Sequence, residues 1–116
     1  MSHWTLVTYT RPNLDTPWFE PTAEAKALMD SLKDDDIVNP SVEVYQKSES
    51  ADGLKQYYKI GFKSEDIAAN LLTNDVHLAN ETARNNYCTE NGVSCIIEQF
   101  NETEPVLYTG IGGSVN

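Results

Sequence analysis

The stretch LKQYYKIGFKSEDIAANLL, residues 54–72, changes its hydrophobic period halfway along, and that change anchors the topology of the chain. Up to Lys63 the residues alternate. Gln56, Tyr58, Ile60 and Phe62 share one side, while Lys55, Tyr57, Lys59, Gly61 and Lys63 share the other. A period of two is that of a strand with one face packed and one wet. From Ser64 the spacing becomes helical. A serine cap is followed by Glu65 and Asp66 at the positive end of the helix dipole, then by Ile67, Ala68, Leu71 and Leu72 as an apolar stripe.

The rest of the chain supplies matching elements. Trp4 to Thr10 reads as a short strand ended by Arg11-Pro12-Asn13. Residues 11–21 form an irregular segment containing Trp18 and Phe19, expected to staple against the end of the first helix, with a ligand-covering lid as the alternative. That helix should start after Thr22 and carry Ala25, Leu28, Met29 and Leu32 on its core face, stopping near Lys33. After Asn39-Pro40, Val42 and Val44 alternate with Glu43, Tyr45 and Lys47 in a second strand, and SESADG turns the chain into the third. Thr73-Asn74-Asp75 breaks the second helical region, which continues through Val76, Ala79, Ala83 and Tyr87 to about Cys88. Gly92 suits a left-handed cap, and VSCIIEQF is a fourth strand.

The order β-α-β-β-α-β predicts an α+β fold of the ferredoxin-like kind, a four-stranded antiparallel sheet with its helices on one face. Val42, Val44, Tyr58, Ile60 and Phe62 are expected to meet Leu28, Leu32, Ile67 and Leu71 in the core. Residues 1–100 read as one domain and 101–116 as an extension, with an edge strand at 105–109 before the glycine-rich tail.

Eighteen acids against eight Lys and Arg give a formal net charge of -10, which disfavours nucleic acid and anionic lipid as partners. Without a run approaching roughly 18 apolar residues, or a leader of signal-peptide type in MSHWTLVTYTRP, a cytoplasmic protein is expected, with no membrane partner. For the same reason Asn80-Glu81-Thr82 and Asn101-Glu102-Thr103 are not read as glycosylation sites. Cys88 and Cys95 match no metal or redox spacing and are expected to be small buried hydrophobes.

Both hairpin strands together place Tyr45, Lys47, Lys55, Tyr57, Lys59 and Lys63 on one side, so four of eight basic residues would share a face with two tyrosines. This open face, with Asp34, Asp35 and Asp36 beyond the first helix, is the expected contact for a protein partner or a second copy. The aspartate run lacks the spaced ligands and closing Glu of a calcium loop. The chain is accordingly expected to be a small accessory protein that acts by binding, rather than an enzyme.

The third strand also resembles the signature strand of RNA-recognition modules. Lys55, Tyr57 and Phe62 stand at corresponding places and Ser64-Glu65-Asp66 at the helix entry, while Lys59 and Gln56 replace an aromatic and a glycine. The resemblance implies a base stacked on an exposed tyrosine.

No HExxH, GxxxxGK[ST] or dinucleotide motif is present, and no cofactor is implied. The alternative is a small-molecule enzyme or binder with a cleft between sheet and helices, using Tyr9, Trp18, Tyr58 and His77 as polar handles.

Overall fold

In the computed structural model, which describes residues 2–106, the chain alternates as its periodicity dictates: β1 (His3–Thr10), α1 (Ala23–Asp34), β2 (Val42–Glu49), β3 (Lys55–Phe62), α2 (Glu65–Leu72), α3 (Asp75–Asn91) and β4 (Ser94–Asn101). The strands form one antiparallel sheet in the order β2-β3-β1-β4, and the helices pack on one face in a ferredoxin-like sandwich. The second helical region is broken where Thr73-Asn74-Asp75 marks it.

Each helix starts where a side chain can take an orphan N–H. Thr22 Oγ1 accepts from Ala25 N at 3.1 Å, Ser64 Oγ from Ile67 N at 3.3 Å, and Asn74 Oδ1 from Val76 N at 2.9 Å. Gly92 ends α3 at φ 67°, and its N–H closes on Cys88 O. Residues 105 and 106 carry no regular structure, and the remainder of the expected edge strand and tail lies outside the described residues.

One irregularity re-sorts the faces of β2. A bulge between Val42 and Val44 leaves Val42 opposite Phe62 on the helix side but sets Val44 opposite Gly61, on the open side. Beyond it Tyr45 stands opposite Ile60 and Lys47 opposite Tyr58, so both belong to the helix side. The expected Lys/Tyr face is therefore split, because one extra residue inverts every later side chain in a strand.

The open face is covered more than its alternation suggests. Gly61 exists to admit Trp4, since a Cβ there would stand 2.6 Å from the indole. After β4, Glu102 adopts φ 62° and its N–H bonds Ser2 O. The chain then returns, bringing Glu104 onto the Lys59 ammonium, itself 5.4 Å from the Trp4 ring centroid, and burying Pro105. Tyr57 and Lys59 are left only 8% and 6% exposed.

On the helix side the core divides. Tyr9, Cys88 and Val93 form one buried cluster, and Val42, Phe62 and Ala68 form another. Between them Val7, Tyr58 and Ile60 are only half-buried although they lie on the two central strands, and α1 contains no buried residue.

The segment 11–21 packs against α3 and the hairpin turn, and Glu20 meets Lys26 at the start of α1. Arg11 lies 4.3 Å over Trp18 and donates to Gly53 O and Thr16 O at 2.9 Å each. Trp18 Nε1 donates to Glu49 at 2.9 Å, Phe19 stacks on Tyr87 at 5.8 Å, and the Tyr87 hydroxyl donates to Pro17 O.

Candidate active site between sheet and helices

The gap between the two buried clusters is a cavity of about 140 Å³, open on one side. Its floor is the helix side of the sheet: Val7 and Tyr9 from β1, Tyr58 and Ile60 from β3, and Tyr45 from β2. The register places these tyrosines on a diagonal across three neighbouring strands, within reach of one another. Tyr45 meets Tyr58, and Tyr58 meets Tyr9, edge-on with ring centroids 6.0 Å apart in each pair. Ala25, Leu28 and Met29 of α1 roof the cavity, and Phe19 and Pro21 form its rim.

The third wall is α3, which turns His77, Asn80 and Arg84 inward. Their i, i+3, i+7 spacing is that of one helix face. Val76, Ala79, Ala83 and Tyr87 carry the helical spacing read from the sequence, but they do not form one buried stripe. Instead Ala79 is exposed and the only leucine of α3, Leu78, is 43% exposed on the outer side. A helix that buries polar side chains while exposing its leucine lines a cavity better than it fills a core.

The wall residues are individually positioned. Asn80 Oδ1 accepts the Thr22 N–H at 2.9 Å, which fixes its amide so that Nδ2 remains as a donor. His77 Nε2 lies 2.7 Å from Glu81 Oε1, one turn along α3. The approach is out of line for a hydrogen bond, so this buried nitrogen has an ionic neighbour but no formed bond. Arg84 Nε and Nη2 both meet Asn85 Oδ1, at 3.3 and 3.2 Å, and among the described residues Arg84 has no carboxylate partner. A second cavity of about 90 Å³, bordered by Thr5, Ile97, Gln99 and Glu81, adjoins the first at His77 and Arg84.

Burial governs the titration of the floor. It pushes the Tyr58 phenol up to about 12, helped by Tyr45, Glu20 and Glu49, and raises Tyr9 further, helped by Cys95. Tyr45 is raised by burial and then by Asp30. Burial likewise raises both thiols, so Cys88 and Cys95 stay protonated and carry no nucleophilic character at neutral pH. Among the described residues, no group of three or more His, Cys, Asp or Glu is placed to hold a metal ion.

Of the pocket set read from sequence, Tyr9, Tyr58 and His77 line the cavity together, while Trp18 packs beside it against the Tyr9 cluster. Asn80 and Arg84 were missed. The available signal was α3 itself, whose polar residues at helical spacing outnumber its apolar ones.

The partner-binding set is dispersed. Tyr45 joins the cavity, with Lys33 5.0 Å over its ring, and Lys47 lies 5.9 Å from the Tyr58 centroid. Lys55, Tyr57 and Lys59 remain on the open side, and Lys63 donates to Asn39 O at 3.0 Å. Asp34 is the last residue of α1. Asp35 accepts from both the N–H and hydroxyl of Ser41, and Asp36 from Val38 N and Asn39 N, which lowers both carboxyl groups. These two aspartates close the loop before β2. With Tyr57 buried, the stacking surface implied by the RNA-recognition resemblance is absent.

No known family model and no curated protein matches the chain. Solved structures do match. SnoaB from Streptomyces nogalater, a cofactor-independent oxygenase, aligns with TM-score 0.54 at 10% identity over 90% of this chain and 95% of its own. A proposed antibiotic biosynthesis monooxygenase from Caulobacter crescentus CB15 aligns with TM-score 0.52 at 16% identity, covering 88% and 91%. Another from Deinococcus radiodurans gives TM-score 0.52 at 12% identity, covering 93% and 99%. At these identities the likeness shows the fold. Together with the cavity, it corrects the expectation of a non-enzymatic accessory protein working through its open sheet face: oxygenases use this fold, and the open face expected to bind is partly covered by the chain itself. Among the described residues no helix is long and apolar enough to cross a membrane.

Proposed function

We propose that the protein is an enzyme that binds a small, largely apolar molecule in the cavity between sheet and helices and acts on it with His77 as general base. The observation that carries this reading is a cavity between two buried clusters, lined by an imidazole whose buried Nε2 lies against a carboxylate. A ferredoxin-like sandwich optimised only for stability would close this seam with aliphatic side chains. The volume is on the order of the ~150 Å³ that accommodates benzene, so a single ring fits, with larger substituents extending through the open side.

In the proposed arrangement Glu81, beside Nε2, favours the tautomer that keeps the ring proton there, leaving the Nδ1 lone pair to take a proton from the ligand. The tyrosine diagonal supplies flat apolar contact and neutral hydroxyl donors. By analogy with the Streptomyces nogalater oxygenase, the reaction class favoured is oxygenation by dioxygen of an electron-rich phenol, whose O–H proton His77 takes.

The test is a screen of monocyclic and bicyclic phenols, read by methyl chemical shifts and by dioxygen consumption in wild type and His77→Ala. The expected result is shifts confined to Val7, Ile60 and Leu71, with turnover falling about 10²–10⁴-fold in the variant while binding is kept. Shifts confined to open-face residues such as Leu6 and Ile96, or no shifts, would refute the reading.

A further inference from the structure

The polar atoms around the cavity are unevenly divided between donors and acceptors, and the imbalance describes what the cavity should hold. Asn80 has its carbonyl oxygen engaged by Thr22, so only its NH₂ remains. Arg84 carries donors alone, and Nη1 has no bond to the described residues. The phenols on the floor stay protonated at neutral pH. The carboxylate of the same helix, Glu81, lies against His77 and borders only the second cavity.

Charge gives a second, independent argument. The chain carries eighteen acids and eight Lys and Arg, so a cation has ample choice of carboxylate partners. Lys26 on the rim pairs with Glu20 at 3.3 Å, Lys33 with Asp30 at 3.1 Å, and Lys59 with Glu104. Among the described residues Arg11, Lys47, Lys55, Lys63 and Arg84 have none, and of these five only Arg84, which is half-buried, borders the two cavities. A half-buried guanidinium at a cavity wall, without a carboxylate bonded to it, is placed to pair with an anion that enters the cavity.

From this donor-rich wall we infer that the ligand is a small organic anion, an apolar ring or chain bearing a carboxylate, with Arg84 and the Asn80 amide as its anion-binding residues. The inference deepens the proposed function and rests on its cavity. It adds a distinct requirement, that affinity follow the charge of the ligand rather than its apolar body. Arg84 would hold the carboxylate at the α3 wall while the apolar part lies over Tyr58 and Ile60.

Benzoate and benzamide separate the two claims, because they share a ring and differ in charge. Each is titrated into wild type, Arg84→Gln and Arg84→Lys, with affinity and methyl shifts recorded at constant ionic strength. The expected result is benzoate binding about 10–100-fold tighter than benzamide to wild type, as a charge-assisted hydrogen bond implies. That preference should vanish in Arg84→Gln and return in part in Arg84→Lys. Equal binding of the two probes at Val7 and Ile60 would overturn the anion inference and leave the cavity reading standing. Failure of both probes to move those methyls would overturn both. The wild-type comparison decides the matter even where a variant does not fold.

Discussion

If the cavity is a persistent space kept open for a ligand, filling it should stabilise the protein and abolish binding together. Ala25 is the residue to enlarge. It lies in the first turn of α1, lines the cavity from the roof, and contributes only its backbone N–H to the Thr22 cap. Ala25→Leu adds three carbons, and burying each is worth about 0.8 kcal/mol. Ordering the new side chain costs roughly 0.5–1 kcal/mol, and the helix propensities of the two residues are similar. The net gain is about 1.5 kcal/mol, or a rise in Tm of roughly 5–10 °C for a domain near 100 residues. Calorimetry measures the Tm and a benzoate titration measures binding. A fall in Tm would mean that the seam between α1 and the sheet has no room for the side chain. A rise in Tm with unchanged binding would place the ligand site elsewhere.

Further outcomes follow from the same geometry. Gly61→Ala should cost about 1–3 kcal/mol in a urea titration, because the new methyl meets the Trp4 ring 2.6 Å away; a wild-type midpoint would show that the indole moves aside freely. Tyr58 shifts from an ordinary value of 10.0 to about 12, so the unfolded chain ionises first: the stability it confers is complete below pH 10 and lost as pH rises towards 12. Tyr58→Phe should flatten that alkaline loss in melts taken across the interval, and an unchanged slope would assign the loss to other groups.

The elements were legible because each carries its own local signal. The period switch at Ser64, the caps at Thr22 and Asn74 and the stop at Gly92 all lie where the structure has them. The faces of β2 were not, since a bulge is set by pairing with β3 and leaves no mark in an alternation of Val, Glu and Tyr. Covering of the open face was hidden for a similar reason. It depends on Glu104 reaching Lys59 across 45 residues of sequence. Tyr9, Tyr58 and His77 could be proposed as a set because the strand-helix order brings them to one layer. Asn80 and Arg84 could not, because a search for apolar stripes treats polar positions as solvent-facing.

That bias bears on how the site is held open. A helix normally docks through its apolar stripe, and that of α1 is only half-buried, with Met29 and Leu32 against the Val42 cluster. Its start is fixed instead by polar geometry, because Asn80 of α3 bonds the Thr22 N–H at the N-cap. The residue proposed to face the ligand therefore also sets the distance between roof and wall. If the cavity closed by drawing α1 onto the sheet, this bond would have to reorganise or leave a buried N–H unpaired, at about 1–3 kcal/mol. Hydrophobic collapse of the half-buried Leu28 and Met29 onto Val7 and Ile60 would favour closure. An open cavity at this seam thus requires a polar brace of the kind Asn80 supplies. The polar inner face of α3 serves the fold as a spacer and the site as a wall with the same side chain.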